Sequence, residues 1–364
     1  MKKTVLLLAL IASLALILAA CSSDPTEPSA EADKALGALS PDNGRRNGGA
    51  VVVANRASGT ISVIDTRTAT LTETIALPQE GDDAFPEPMY VNQVSAQRRL
   101  FVGDRANDRV VVFDARTFEV EGTVPCGQGV FHMWADRQGD QLWVNNDIDN
   151  TITVIDPVGL TVLATVPLPA DLVAMGGKPH DVILDHRSRY AYVTVLGVDG
   201  PNDYLVQFET AGFSELNRQP VGQDPHVSIG VNTDLYVACQ NSDAVYVLDR
   251  DDLSFQDMLE IPGAHGAAMS GNGKYFYTTN LPGGGADALY TISTRSNEVL
   301  GMPVETPYAV PHNLALSPSG KLLFVTHSGG SSDKVTVYGM SGDDPVPYYM
   351  DEVSVGLNPF GLAY

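Results

Sequence analysis

LWVNNDIDNTITVID, residues 142–156, reads as an apolar strand, a polar turn and an alternating strand that closes on an acid. The same pattern returns as VVVANRASGTISVID from Val51, LFVGDRANDRVVVFD from Leu100 and LYVACQNSDAVYVLD from Leu235. Looser copies begin at Ala191, Phe276 and Leu323. The closing positions are Asp65, Asp114, Asp156, Glu209, Asp249, Ser293 and Gly339, separated by 49, 42, 53, 40, 44 and 46 residues. Each interval holds four short strands, and period-two alternation without a long helical stripe argues for sheet throughout. Seven such copies predict an all-β chain folded as a seven-bladed β-propeller over residues 50–364. Residues 358–364 repeat the opening of an inner strand, as in residues 310–316, but have no later partner in their own copy. The C-terminal strand is therefore expected to complete the first blade beside Val51 and close the ring. The repeated acids at 65, 114, 156 and 249 are assigned to the turn after the third strand.

This repeat, a Tyr-Val-Thr-Asn-like strand followed by a turn and a Val-Ile-Asp-like strand, resembles the YVTN family of seven-bladed β-propellers. The resemblance spans about Ala50 to Tyr364. It implies the fold and leaves the activity open, because propellers carry many unrelated tasks.

Outward from the repeat, the amino terminus holds an address. Lys2 and Lys3 precede an uncharged run from Thr4 to Ala20, suited to the apolar core of an export signal. The run ends Leu18-Ala19-Ala20-Cys21, which resembles the lipobox of bacterial lipoproteins. That resemblance implies a signal peptide over 1–20 and lipidation of Cys21, with Ser22 following the pattern that permits sorting to the outer membrane. Residues 21–49 are rich in Ser, Pro, Glu, Asp and Gly and read as a flexible tether. The expected location is the bacterial cell envelope, anchored in the lipid membrane through Cys21 and facing the periplasm or the cell surface.

Lys and Arg number 22 against 44 Asp and Glu, a formal charge of −22 that argues against nucleic-acid partners. Three Cys cannot build a disulfide framework. The sequence carries no phosphate-binding Gly loop, no nucleophile elbow and no paired Cys-x-x-Cys motifs.

Histidine supplies the candidate site. Neighbouring strands are antiparallel, so the start of a first strand and the end of a second strand reach the same face, near the tunnel mouth. The column at the start of the first strands reads Tyr90, His132, His180, His226, His265, His312 and Phe360, holding five of the seven His in the chain. Pro179, Pro225, Pro311 and Pro359 set the entry into extended geometry. At the ends of the second strands the column is Asn55, Asp104, Asn146, Val195, Cys239, Asn280 and His327, which brings a sixth imidazole to the same face. His186 falls at the opposite face.

An arc of imidazoles suits copper, zinc or iron, and Irving–Williams ordering favours copper. The expected ligands are His132, His180, His226, His265, His312 and His327, with Cys239 as a possible additional thiolate. Asp181 and Asp224 stand where carboxylates could orient ligating rings. The arrangement is similar to that of nitrous-oxide reductase, whose propeller holds a His-ligated copper cluster. That enzyme also uses a cupredoxin domain, absent from this sequence, so nitrous-oxide reduction is not expected. Three readings stand: a metal-binding envelope protein with a redox or metal-handling task and an envelope or redox partner; a recognition scaffold whose His only cap loops; and a hydrolase resembling propeller lactonases.

Overall fold

The structure, a computed structural model, describes residues 49–281, 287–341 and 344–364. The signal segment 1–20, the lipidation site Cys21 and the tether up to residue 48 lie outside the described residues. Seven antiparallel sheets follow one another along the compact unit Gly48–Tyr364. The second blade, for example, runs outward as Pro88–Val94, Arg99–Asp104, Arg109–Asp114 and Val120–Pro125. In the sixth blade the outermost place is shared by the short strands Glu298–Val299 and Val304–Glu305. The first blade combines both ends of the fold. Its inner strand is Pro359–Ala363, paired antiparallel with Ala50–Asn55, and the sheet continues through Thr60–Asp65 and Thr70–Ala76.

The continuous apolar runs of the second strands follow from this architecture. A strand that is sandwiched between two neighbouring blades buries both faces, so period-two alternation gives way to apolar residues at every position. In Ala50–Asn55, Val51 and Val53 pack toward the seventh blade with Phe324, Val335 and Val337. Val52 and Ala54 pack toward the second blade with Leu100, Val102 and Phe113. One apolar cluster of this kind fills each of the seven seams between blades. The outermost strands, by contrast, alternate with solvent, and the repeated acids do sit in turns: Asp65 Oδ1 accepts from the amides of Arg67 and Thr68, and Asp114 Oδ1 from those of Arg116 and Thr117.

One irregularity positions everything at the tunnel mouth. In six of the seven blades the inner strand carries a bulge, with two of its residues facing one residue of the second strand. His265 and Gly266 face Thr279; His312 and Asn313 face Thr326. The hydroxyl opposite takes over the broken ladder. Thr279 Oγ1 accepts from the Gly266 amide at 2.9 Å and donates to the His312 carbonyl of the next blade at 2.9 Å. Thr326 Oγ1 likewise accepts from Asn313 at 3.1 Å and donates to the Phe360 carbonyl at 2.8 Å.

These hydroxyls tie blade to blade at buried positions. Replacing Thr279 or Thr326 by Val leaves a buried amide and a buried carbonyl without partners, so each substitution should cost about 1–3 kcal/mol in urea unfolding. Removing the Pro359–Tyr364 segment should cost more than the about 3 kcal/mol expected for emptying one large buried aromatic site, and should broaden the transition.

Candidate metal centre

Measured from the paired residues at the strand entries, the first bulge position holds Met89, Phe131, His180, His226, His265, His312 and Phe360. The second holds Tyr90, His132, Asp181, Gly266, Asn313 and Gly361, with the unbulged His226 strand offset. The sequence column thus mixed two registers. Phe131, not His132, is the structural equivalent of the four later histidines, because Val130 pairs with Asn146 in the place where Pro179 pairs with Val195.

Around the mouth, one aromatic ring from each blade touches the next and closes a seven-membered girdle. Centroid separations are 5.4 Å for Tyr90–Phe131, 4.7 Å for Phe131–His180, 4.7 Å for His180–His226 and 3.8 Å for His226–His265. His265–His312 at 4.6 Å, His312–Phe360 at 4.3 Å and Phe360–Tyr90 at 5.5 Å complete it. Four consecutive members are imidazoles and three are apolar or phenolic, so the girdle has an imidazole half and an apolar or phenolic half.

Hydrogen bonds fix which imidazole nitrogens are free. His265 Nδ1 lies 2.9 Å from Gln240 Oε1, an acceptor, so Nδ1 carries the hydrogen and Nε2 holds the lone pair. His226 Nδ1 faces Asp181 Oδ2 at 3.4 Å, and that carboxylate is held by the Val227 amide. The Nε2 atoms of both rings are buried without a hydrogen-bond partner, in side chains only 3% and 4% exposed. Asp224 Oδ1 lies 3.7 Å from His226 Nε2, and donor atoms of His180, Asp224 and His226 all fall within 4.8 Å of one another. The Asp181–His226 contact is the arrangement by which a carboxylate orients a ligating imidazole.

The remaining expected ligands are placed differently. His132 Nδ1 accepts the Val182 amide of the next blade at 3.1 Å, leaving its hydrogen on Nε2, so the ring is a blade clamp. His312 Nδ1 accepts from Asn313 Nδ2 at 2.7 Å, which also assigns its hydrogen to Nε2 in the neutral ring. His327 stands outside the girdle with both nitrogens engaged, Nδ1 with the Ala309 carbonyl and Nε2 with Thr336 Oγ1. It closes the turn to the third strand, as Asn55 and Asn146 do with Thr60 and Thr151 in other blades. Cys239 is fully buried, its Sγ 3.5 Å from the Val237 carbonyl, and burial pushes the thiol far above its ordinary pKa. Gln240 and Asn313, which select the tautomers of His265 and His312, had no motif to mark them.

Burial sets the charge of the arc. It drives His180 and His312 down to about 3 and His265 well below the ordinary imidazole value, with neighbouring His226 adding to each. His226 alone is raised: burial opposes its proton, but Asp181 and then Asp224 outweigh that penalty. A buried imidazole with a depressed pKa stabilises the fold fully above about 6.5 and loses that contribution as pH falls toward the folded value, because only the unfolded chain takes up the proton. His226 opposes this with a single site. Urea midpoints should therefore fall between pH 7 and pH 4, and His265→Gln should flatten that dependence.

Comparison with known proteins adds the lineage. The family model described as lactonase, 7-bladed beta-propeller, matches residues 39–256. Protein NirF of Pseudomonas aeruginosa is 28% identical over 110 residues, 30% of this chain and 26% of its own length, so the match spans about a quarter of that relative. Among solved structures, the periplasmic gluconolactonase PpgL of Pseudomonas aeruginosa aligns at TM-score 0.66 and 16% identity, over 86% of this chain and 98% of its own. Kuenenia stuttgartiensis hydrazine synthase aligns at TM-score 0.65 and 18% identity, over 78% and 91%. At such identities the structural likeness speaks for the fold alone. The family model covers more than half of the residues, and the chain belongs to the lactonase family of seven-bladed β-propellers.

Proposed function

We propose that this propeller binds one transition-metal ion at the tunnel mouth through Nε2 of His226 and His265, with His180 and the Asp224 carboxylate completing the donor set. The observation that carries the reading is the pair of buried, unpartnered Nε2 atoms in adjacent rings whose Nδ1 hydrogens are committed to Asp181 and Gln240. Leaving such atoms unsatisfied is costly, and a bound cation relieves that cost. Imidazole donors favour copper over other divalent ions, while the carboxylate also suits zinc or iron. In this reading the protein is a lipoprotein held to the envelope through Cys21, and its task is redox chemistry or metal handling.

A second reading rests on the family and on His226. Lactone hydrolysis needs a base near neutrality, and His226 is the one girdle imidazole whose pKa is raised, flanked by two carboxylates. Both uses claim the same Nε2, so they predict opposite effects of a chelator: a base-catalysed lactonase keeps its activity after metal removal.

Protein purified from the periplasm should hold copper or zinc near one equivalent by elemental analysis. His226→Ala/His265→Ala should lose it while keeping the far-UV spectrum; stoichiometry unchanged in that variant rejects the site. Asp181→Asn should weaken metal affinity by roughly 10- to 100-fold through loss of ring orientation. Affinity should also fall below about pH 6.5, since a protonated imidazole offers no lone pair.

A further inference from the structure

Charge is divided between the two ends of the propeller. Of the nine exposed Lys and Arg side chains among the described residues, eight lie in turns at the far face, Arg67, Arg98, Arg137, Arg187 and Lys321 among them. There they are interspersed with acids such as Glu119, Asp140 and Glu298. The mouth face keeps one exposed cation, Lys178. Its other cations are consumed by partners: Arg56 by Glu87 at 2.6 Å, Arg105 by Asp147 at 2.8 Å, Arg109 by Asp83 at 2.8 Å and Lys334 by Glu352 at 3.5 Å. Exposed acids with no such compensation crowd the same loops, including Glu80, Asp82, Asp149, Asp199, Asp243 and Glu260.

The same mouth-side loops carry exposed apolar side chains. Leu357 is 44% exposed and Phe85 50% exposed. Both border one turn, residues 56–59: the Leu357 amide donates to Ser58 Oγ, and Phe85 packs over Gly59. Ile148, at 56% exposure, stands on the third blade's mouth-side turn. Exposed apolar side chains among charges of one sign suit a steered, transient protein interface. The buried, unpartnered nitrogens of His226 and His265 lie beneath the same face, with the half-buried Asp224 carboxylate 3.7 Å from His226 Nε2.

We infer that the mouth face is a docking surface for a protein with a Lys- or Arg-rich face, seated on Leu357 and Phe85 and steered by the acidic rim. Charge complementarity selects the partner class. Nucleic acid and anionic lipid surfaces are repelled by the same rim. The strand Ala50–Asn55 begins at the far face and ends at the mouth, since Ala50 pairs with Asp65 and Asn55 with Pro359. Docking there brings a partner over the proposed ion site without needing the ion to bind.

The test uses hen lysozyme as a basic globular probe and a fluorescent lysine decapeptide as a shapeless one, with the full propeller. Asp82→Lys/Asp199→Lys/Glu260→Lys should weaken lysozyme binding about tenfold or more at low salt and reduce its salt dependence. The far-face set Glu119→Lys/Asp140→Lys/Glu298→Lys should leave it within about twofold. Carbodiimide cross-links should map to the mouth loops. Equal losses from both sets, or cross-links spread over both faces, would overturn the inference. Leu357→Ser should weaken lysozyme binding and leave decapeptide binding unchanged; equal loss for both probes would argue against an apolar seat. His226→Ala/His265→Ala should bind both probes normally, so failure of the ion site and failure of the docking surface are read separately.

Discussion

A ring of sheets holds only if its last seam closes, and here that seam is the antiparallel pairing of Ala50–Asn55 with Pro359–Ala363. Each blade is too thin to bury its own apolar faces; its second strand is covered on both sides only because a neighbour stands on each side. An open ring would expose Val51 and Val53 on one blade and Phe324 and Val337 on another, together with an unpaired strand edge. Closure therefore conditions the burial of every seam, and it also sets the radius at which seven inner strands meet.

At that radius the bulges matter most. A second residue facing one ladder position turns side chains out of the plane of the sheet, which brings rings from six blades into mutual contact, His226 joining them from an unbulged strand. The same device leaves backbone groups without ladder partners, and Thr279, Thr326, Asn145, Asp181 and His132 satisfy them across blade boundaries. Structural and functional side chains are thus interleaved residue by residue: Asp181 serves a backbone amide and an imidazole with one carboxylate.

Packing the imidazoles together in a buried ring disfavours the protonated forms of His180, His265 and His312, since each proton would meet desolvation and the neighbouring His226, while Asp181 and Asp224 favour the proton on His226. In the neutral form, His226 and His265, with Nδ1 turned to Asp181 and Gln240, present an Nε2 lone pair. The propeller fold by itself leaves the chemistry open, so the reading of function rests on the residues at the mouth.

The sequence alone determined the blade count, the closure by the C-terminal strand and the clustering of His at one face, because repeat period and strand polarity are local properties of the chain. It also placed His186 away from the mouth and the repeated acids in turns. Tertiary structure decided which imidazoles share a site. One-residue register shifts at the bulges exchanged His132 for Phe131 in the girdle, and spelling such as Pro-His cannot reveal them. Nor could the linear pattern show that Gln240 and Asp181 hold two rings by Nδ1, or that His327 has both nitrogens engaged, because those partners come from other strands and loops brought near only when the ring is closed.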